Sequence, residues 1–587
     1  MRQTGSSGTV REAGALKIDP AVNPAVLVTA TWDPSAAEAL LRGAGADALS
    51  GVSGALREGR SLPNVAGLEL HEGSRTVGES GVFVLAGLRD GQQVMLEALE
   101  ENAAPRLIDP LASIALGDGG AIAVHATTAA NLHAFVRDLA PGRGPRALGD
   151  TPRLGVGVRM TTACWPAVFR AMESGGFSAN AIQNSVRELN SLEDLLKGRP
   201  ATRNYYTGFG MIESGHTGST FEGLWVSGVL QALQHPTRFP FGADADHLQV
   251  KRGPDGLARA RRYIDSCRYY TFYTMDMADI LDYASLNEPS DAGAGDRARA
   301  VVGDEAVLRA AVAYHRQAQS GGSATRRLGE PTVHRMIGKY WAALAALEAV
   351  NAYVASIRAG EPYDLEFTID EHPPELAAFD CLTSEDECAF VLGEVARRGL
   401  PVTHLAPNVG IEKGFDYRGA DGLEGLERRI TSIVELAGAR GVVVDIHSAD
   451  DLTAPTRAAI RRATKGRLHY KVSPMPQVLF AEILEQVHPD LFAEWWDDTV
   501  RYAQESAGTG SRFAAACLAE LGAKASRRPS YRDQVFHHFC FRFVGRRGQD
   551  GQFLNRQRFY SLSDGFYRAY EDRLAGYLEG LAEELLA

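Results

Sequence analysis

Phe241-Gly-Ala-Asp-Ala-Asp-His247 is the stretch on which the reading of this chain turns. An apolar run, Phe239-Pro240-Phe241, gives way to three ionisable side chains, Asp244, Asp246 and His247. On a strand, Asp244 and Asp246 share one face, and His247 takes the other until the backbone turns. Polar groups at the carboxyl end of an apolar strand are costly to bury without partners, and a metal or a substrate is the usual partner.

The pattern recurs. Apolar or β-branched runs at 154–158, 177–184, 239–247, 270–276, 363–371, 402–408, 442–448 and 468–473 mostly end in polar or ionisable residues. Helical patterns separate most of them, as at 385–398 and 423–440, where apolar residues recur every three and four positions. Near-continuous hydrophobic strands alternating with helices predict a parallel sheet buried on both faces. Eight such units with functional groups at the strand ends predict an α/β fold of the (β/α)8 TIM-barrel type. An open doubly wound sheet is the alternative.

The barrel is expected over 151–480, preceded by a small α/β domain over 1–150 and followed by a helical C-terminal extension, 481–587, packed on it. Two insertions are expected, 202–237 and a long helical one over 279–361 with a breaker at 320–323. The glycine-rich part of the first, 207–220, reads as a lid or a surface excursion. Gly117-Asp-Gly-Gly120 does not follow a strand and open a helix, and no Gly-Lys-Ser/Thr triplet occurs, so neither a nicotinamide fingerprint nor a phosphate loop is present.

A balance of 61 basic and 73 acidic residues, net −12, argues against nucleic acid or an anionic membrane as partner. No uninterrupted apolar run reaches the roughly 18 residues of a membrane span. The first eight residues lack the basic-then-apolar order of a signal peptide and read as a disordered leader. Six cysteines without a Cys-x-x-Cys pair fit reduced thiols in the cytoplasm.

Metal-type ligands gather at the strand ends: His247, Glu366, Asp370, Glu412, His447 and His469. Imidazole with carboxylate suits a divalent ion such as Zn²⁺, Mn²⁺, Ni²⁺ or Co²⁺. Lys413, Lys471 and Arg187 read as clamps for an anionic or polyhydroxy substrate, with Asp244, Gln183 and His469 beside them as substrate-binding residues.

In their order, these motifs resemble the tagaturonate epimerases, which interconvert D-tagaturonate and D-fructuronate. The matching segments are Arg153-Leu-Gly155, Gln183-Asn-Ser-Val-Arg-Glu188, Phe241 to His247 and Glu366-Phe-Thr-Ile-Asp-Glu371. Glu412-Lys-Gly-Phe-Asp-Tyr417, Ile446-His-Ser448 and Leu468-His-Tyr-Lys471 complete the set, and Gln534-Val-Phe-His537 is a weaker match in the tail. The resemblance implies Asp246 as proton acceptor, Glu366 as proton donor, and His247, His447 and Glu412 as ligands of a divalent metal. Two departures from the family pattern are a shorter segment before Glu412 and a longer insertion at 202–237.

Inverting C4 of a 2-ketose cannot start by removing the C4 hydrogen, which is not adjacent to the carbonyl. Transient oxidation would need a nicotinamide. Retro-aldol cleavage of C3–C4 needs a Lewis acid and two carboxyl groups to move the hydroxyl proton, which is the set this chain carries. The alternatives are a 4-epimerase of neutral ketohexoses (D-tagatose and D-fructose), a metal-dependent sugar isomerase or 3-epimerase working through an enediol, and a non-catalytic sugar-acid binder. The expected partner is a small ketohexuronate or ketohexose, with self-association into a homo-oligomer left open.

Overall fold

The computed structural model describes residues 10–19, 33–78, 81–107, 110–206, 210–317, 326–370, 378–412, 414–447, 449–524 and 528–586. The expected leader over 1–8, the breaker at 320–323, Glu371, Lys413 and Ser448 lie outside them.

Eight parallel strands close into a barrel. They are β1 (Arg153–Gly157), β2 (Ser178–Ser185), β3 (Phe241–Gln249), β4 (Phe272–Asp276), β5 (Asp364–Thr368), β6 (His404–Ala406), β7 (Val443–Ile446) and β8 (Leu468–Val472). Each pairs with its neighbour in the sequence, and β8 closes on β1 through His469 opposite Arg153 and Lys471 opposite Gly155. The expected runs thus become the barrel strands, one for one. A helix follows each, from Trp165–Gly175 after β1 to Met475–Val487 after β8. This is the right-handed strand–helix–strand repeat that parallel pairing imposes.

The first 150 residues contain a five-stranded antiparallel sheet, with helices Pro34–Gly43 and Ala46–Arg57 packed on one face through Leu41, Leu49, Val52 and Leu56. The opposite face, through Phe83, Leu85 and Met95, joins the main core. One hydrophobic core therefore runs from this sheet into the barrel.

The insertion expected over 202–237 is shorter in the structure. Only an antiparallel hairpin, Arg203–Tyr206 with Gly210–Glu213, leaves the barrel. Phe221–Gln234 is the barrel's own helix between β2 and β3, with Leu224, Trp225, Val229 and Leu233 buried between barrel and N-terminal sheet. A helix apolar nearly all round has two partners to cover it.

The second insertion carries Asp291–Val302 and Glu305–Arg316 and leads into the 29-residue helix Glu330–Arg358. Among the described residues this last helix alone has the length and apolarity to cross a membrane. Its Val333, Ile337, Leu344, Leu347 and Val354 are buried in the protein core. The C-terminal extension is helical, and its last helix, Asp564–Leu585, packs on Trp165–Gly175 and Ala454–Thr464. All six cysteines are buried and outside any disulfide.

Gly155 shows how tightly the barrel interior is filled. A Cβ there would lie 2.4 Å from Gln183 Oε1, 2.7 Å from His469 Nε2 and 2.9 Å from Lys471 Cγ. Gly155→Ala is expected to cost about 1–3 kcal/mol in stability through overpacking. Displacing Lys471 should also lower kcat by up to about 100-fold. Denaturant unfolding and steady-state kinetics on one preparation check both. An unchanged kcat would show that Lys471 does not need this close approach.

Candidate active site

At His247 the backbone takes φ +49°, a left-handed conformation rare outside glycine, and the pairing of β3 with β4 shifts register between Ala245 and Leu248. The turn expected at the strand end is this kink. His247 sits beside His447, their ring centroids 5.2 Å apart, and both line one cavity.

Lys471 is the electrostatic centre. Its Nζ donates to Asp246 Oδ1 at 2.9 Å, Glu366 Oε2 at 2.7 Å and Thr274 Oγ1 at 2.7 Å. Asp244 Oδ2 lies 3.2 Å away. Burial works against its charge, but Asp244, Asp246, Glu366 and Asp445 hold the ammonium well above the usual lysine range. Burial also pushes Asp246 and Glu366 upward. For Asp246, Lys471 and the two imidazoles reverse this and bring the carboxyl down to about 2. For Glu366, Lys471 and His447 leave it well below the ordinary range. Asp244, where burial dominates, is pushed up to about 7. Asp445, buried beside the charge of Glu366, is raised well above a normal carboxyl. The surroundings thus favour the ionised forms of Asp246 and Glu366, the residues expected to move protons, and the protonated forms of Lys471, His447 and Asp445.

His447 Nε2 lies 3.0 Å from Glu366 Oε1, and Nδ1 lies 3.2 Å from Asp370 Oδ2. Burial opposes its charge, but Glu366 and Asp370 raise the imidazole to about 10. Neither contact is aligned as a hydrogen bond, so both buried ring nitrogens lack a hydrogen-bonding partner among the described residues. Glu366, Asp445 and His447 offer ligand atoms within 4.8 Å of one another. Orphaned imidazole nitrogens facing carboxylate oxygens, with no thiolate, are a donor set that fits a borderline divalent cation. On taking a cation, His447 would release its ring proton.

The other expected site residues divide. Gln183 and Arg187 line the cavity with Asp246, His247, His447 and Lys471. Asp244 and His469 are buried below it; His469 Nδ1 lies 2.9 Å from Asp445 Oδ2 and Nε2 3.3 Å from Asn180 Nδ2. Glu412 forms a two-point pair with Arg418, at 2.6 and 3.1 Å, and joins no cluster of ligand-type groups among the described residues.

Asp450, Asp451 and His538 line the cavity but were not read from the sequence, while Arg159, which ends the first apolar run, and His537, noted only within a motif, had no role. Arg159 follows β1 and pairs with Glu188 at 2.7 Å. Asp445 could have been found, because its two-residue spacing from His447 places both on one face of β7. The tail histidines carry no spacing that ties them to a strand end 90 residues earlier.

A closed parallel barrel whose strand ends converge on carboxylates, imidazoles and a buried ammonium is an enzyme site of the TIM-barrel class. The model of the tagaturonate epimerase family matches residues 211–509, just over half of the chain. The chain belongs to that family, and with it to the isomerases. A tagaturonate/fructuronate epimerase from Thermotoga maritima is 26% identical over 379 residues, covering 64% of this chain and 67% of the relative. The native crystal structure of a fructuronate-tagaturonate epimerase from Cohnella laeviribosi superposes with a TM-score of 0.63 at 18% identity, covering 89% of this chain and 97% of that one. Its two-glycerol complex gives 0.64, with coverages of 92% and 99%.

Proposed function

We propose that this enzyme interconverts D-tagaturonate and D-fructuronate by inverting C4 through retro-aldol cleavage and reclosure. The observation that supports it most directly is Lys471 Nζ, held between Asp246 and Glu366 in a cavity also lined by His247 and His447. Asp246, ionised and on the cavity wall, accepts the C4 hydroxyl proton as C3–C4 breaks. Lys471 and Asp445, both held toward their protonated forms, form the reservoir beside it from which a proton returns. His447 and Glu366, with Asp370 and His247 nearby, would hold a divalent cation. Bound there, the cation supplies positive charge for an oxygen on which negative charge develops. Glu412 could join this set only by leaving Arg418. The buried thiols, none in a disulfide, support a cytoplasmic enzyme.

The test incubates metal-loaded protein with D-tagaturonate in deuterated water. D-Fructuronate should form with protium retained at C3 and C4. Deuterium at C4 would sink the retro-aldol route, and deuterium at C3 would favour the enediol reading. Running D-tagatose alongside decides between uronate and neutral ketose. Exhaustive chelation should abolish conversion and Mn²⁺, Zn²⁺, Ni²⁺ or Co²⁺ restore it; full activity in protein shown metal-free by elemental analysis would remove the cation from the reading.

A further inference from the structure

Asp246 and Glu366 bind the same Nζ of Lys471 and therefore serve the same side of the cavity. Retro-aldol inversion presents a geometrical demand that this side alone does not meet. The two epimers differ in which way the C4 oxygen points, so after the aldehyde turns its other face the oxygen lies away from the group that deprotonated it.

Across the mouth is a second proton-transfer pair. Asp451 follows β7, and β7 lies four strands from β3 in the closed ring of eight. His537, on the short helix Gln534–Phe539 of the C-terminal extension, places Nδ1 3.3 Å from Asp451 Oδ1. Both line the cavity, and the side chains are only 14% and 9% exposed. Nε2 of His537 is buried with no hydrogen-bonding partner among the described residues. The helix is anchored from outside, as Trp495 Nε1 donates to Cys540 O at 2.7 Å and Trp496 Nε1 to Asp533 Oδ2 at 2.8 Å. A carboxylate 3.3 Å from Nδ1 favours the proton on that nitrogen, which leaves Nε2 its lone pair. Burial, aided by Arg159, keeps this imidazole below its ordinary range against the pull of Asp451.

We infer that His537 Nε2 is the catalytic acid–base group for the epimer whose C4 oxygen faces away from Asp246, with Asp451 as its positioning residue. The inference rests on the retro-aldol reading above. From that epimer, the C4 hydroxyl proton moves to Nε2, the C4–O bond becomes a carbonyl, and the C3–C4 electron pair passes into the C2–C3 enediolate. After rotation, C3 re-forms its bond to the other face of C4, and the new C4 oxygen takes a proton from the Lys471–Asp246 side. Exchange with water restores both groups. The reverse reaction retraces these moves, and nothing is oxidised or reduced.

The experiment mixes stoichiometric metal-loaded His537→Asn protein with each epimer separately, quenches in acid, and traps the three-carbon aldehyde with a hydrazine. Wild type should cleave both epimers. The variant should cleave one within about tenfold of wild type and the other at least 100-fold more slowly. Asp451→Asn should show the same asymmetry, less severely. Equal loss from both epimers, or none, overturns the inference, as does loss of bound metal from His537→Asn in elemental analysis, which would make His537 a ligand. No cleavage by wild type itself would instead overturn the retro-aldol reading. Unaltered thermal unfolding and a conserved asymmetry in His537→Gln separate the chemical role from misfolding.

Discussion

Lys471→Met should destabilise the protein by about 3–5 kcal/mol, the usual consequence of leaving buried charge without its partner. The ammonium is 5% exposed, and its removal strands Asp244, Asp246 and Glu366 together inside the barrel. The pH dependence identifies the cause. In the native protein Asp246 sits at about 2, so it stays ionised between pH 5 and 8 and contributes no slope there. Without Lys471, burial and mutual repulsion raise these carboxyls above their unfolded values. A folded-state acid with a raised pKa loses stability as pH rises through it. The deficit relative to wild type should therefore be larger at pH 8 than at pH 5. Denaturant unfolding at the two pH values measures it, and a deficit independent of pH would mean that lost packing dominates. Because the ammonium is already paired with Asp246 and Glu366, it acts on the substrate as part of that cluster.

Asp246→Asn should lower kcat by about 10²- to 10⁴-fold, the range expected when a positioned proton acceptor is removed. KM should change only a few-fold, since the amide keeps the shape of the side chain and can still accept from Lys471. Asp244 and Glu366 still balance the ammonium, so the fold should survive. Steady-state kinetics with thermal unfolding on one preparation checks this. Retention of more than a tenth of wild-type kcat would move the acceptor role to Asp244, whose carboxyl lies 3.2 Å from the same Nζ.

The barrel was legible because each strand writes a short apolar run ending in polar groups. That local pattern survives folding, since parallel strands are buried on both faces. The eight runs, and His247, His447, Asp246 and Lys471 as strand-end groups, were readable for this reason. What the chain order could not show is distance across the ring. Lys471 on β8 reads in sequence as a cation free to clamp an anion, yet barrel closure sets it among carboxylates from β3 and β5. Glu412 stands in a plausible ligand position, but the loop turns it to Arg418. Phe221–Gln234 looked like part of an insertion because its partners, the N-terminal sheet and the barrel, are remote in sequence. The Asp451–His537 contact spans 86 positions and depends on how the C-terminal helices dock over the mouth. Local periodicity determined the strands, the helices and the kinds of side chain at the strand ends. Ring closure and helix docking, which join residues distant along the chain, decided which of those charges meet and hence which are ionised.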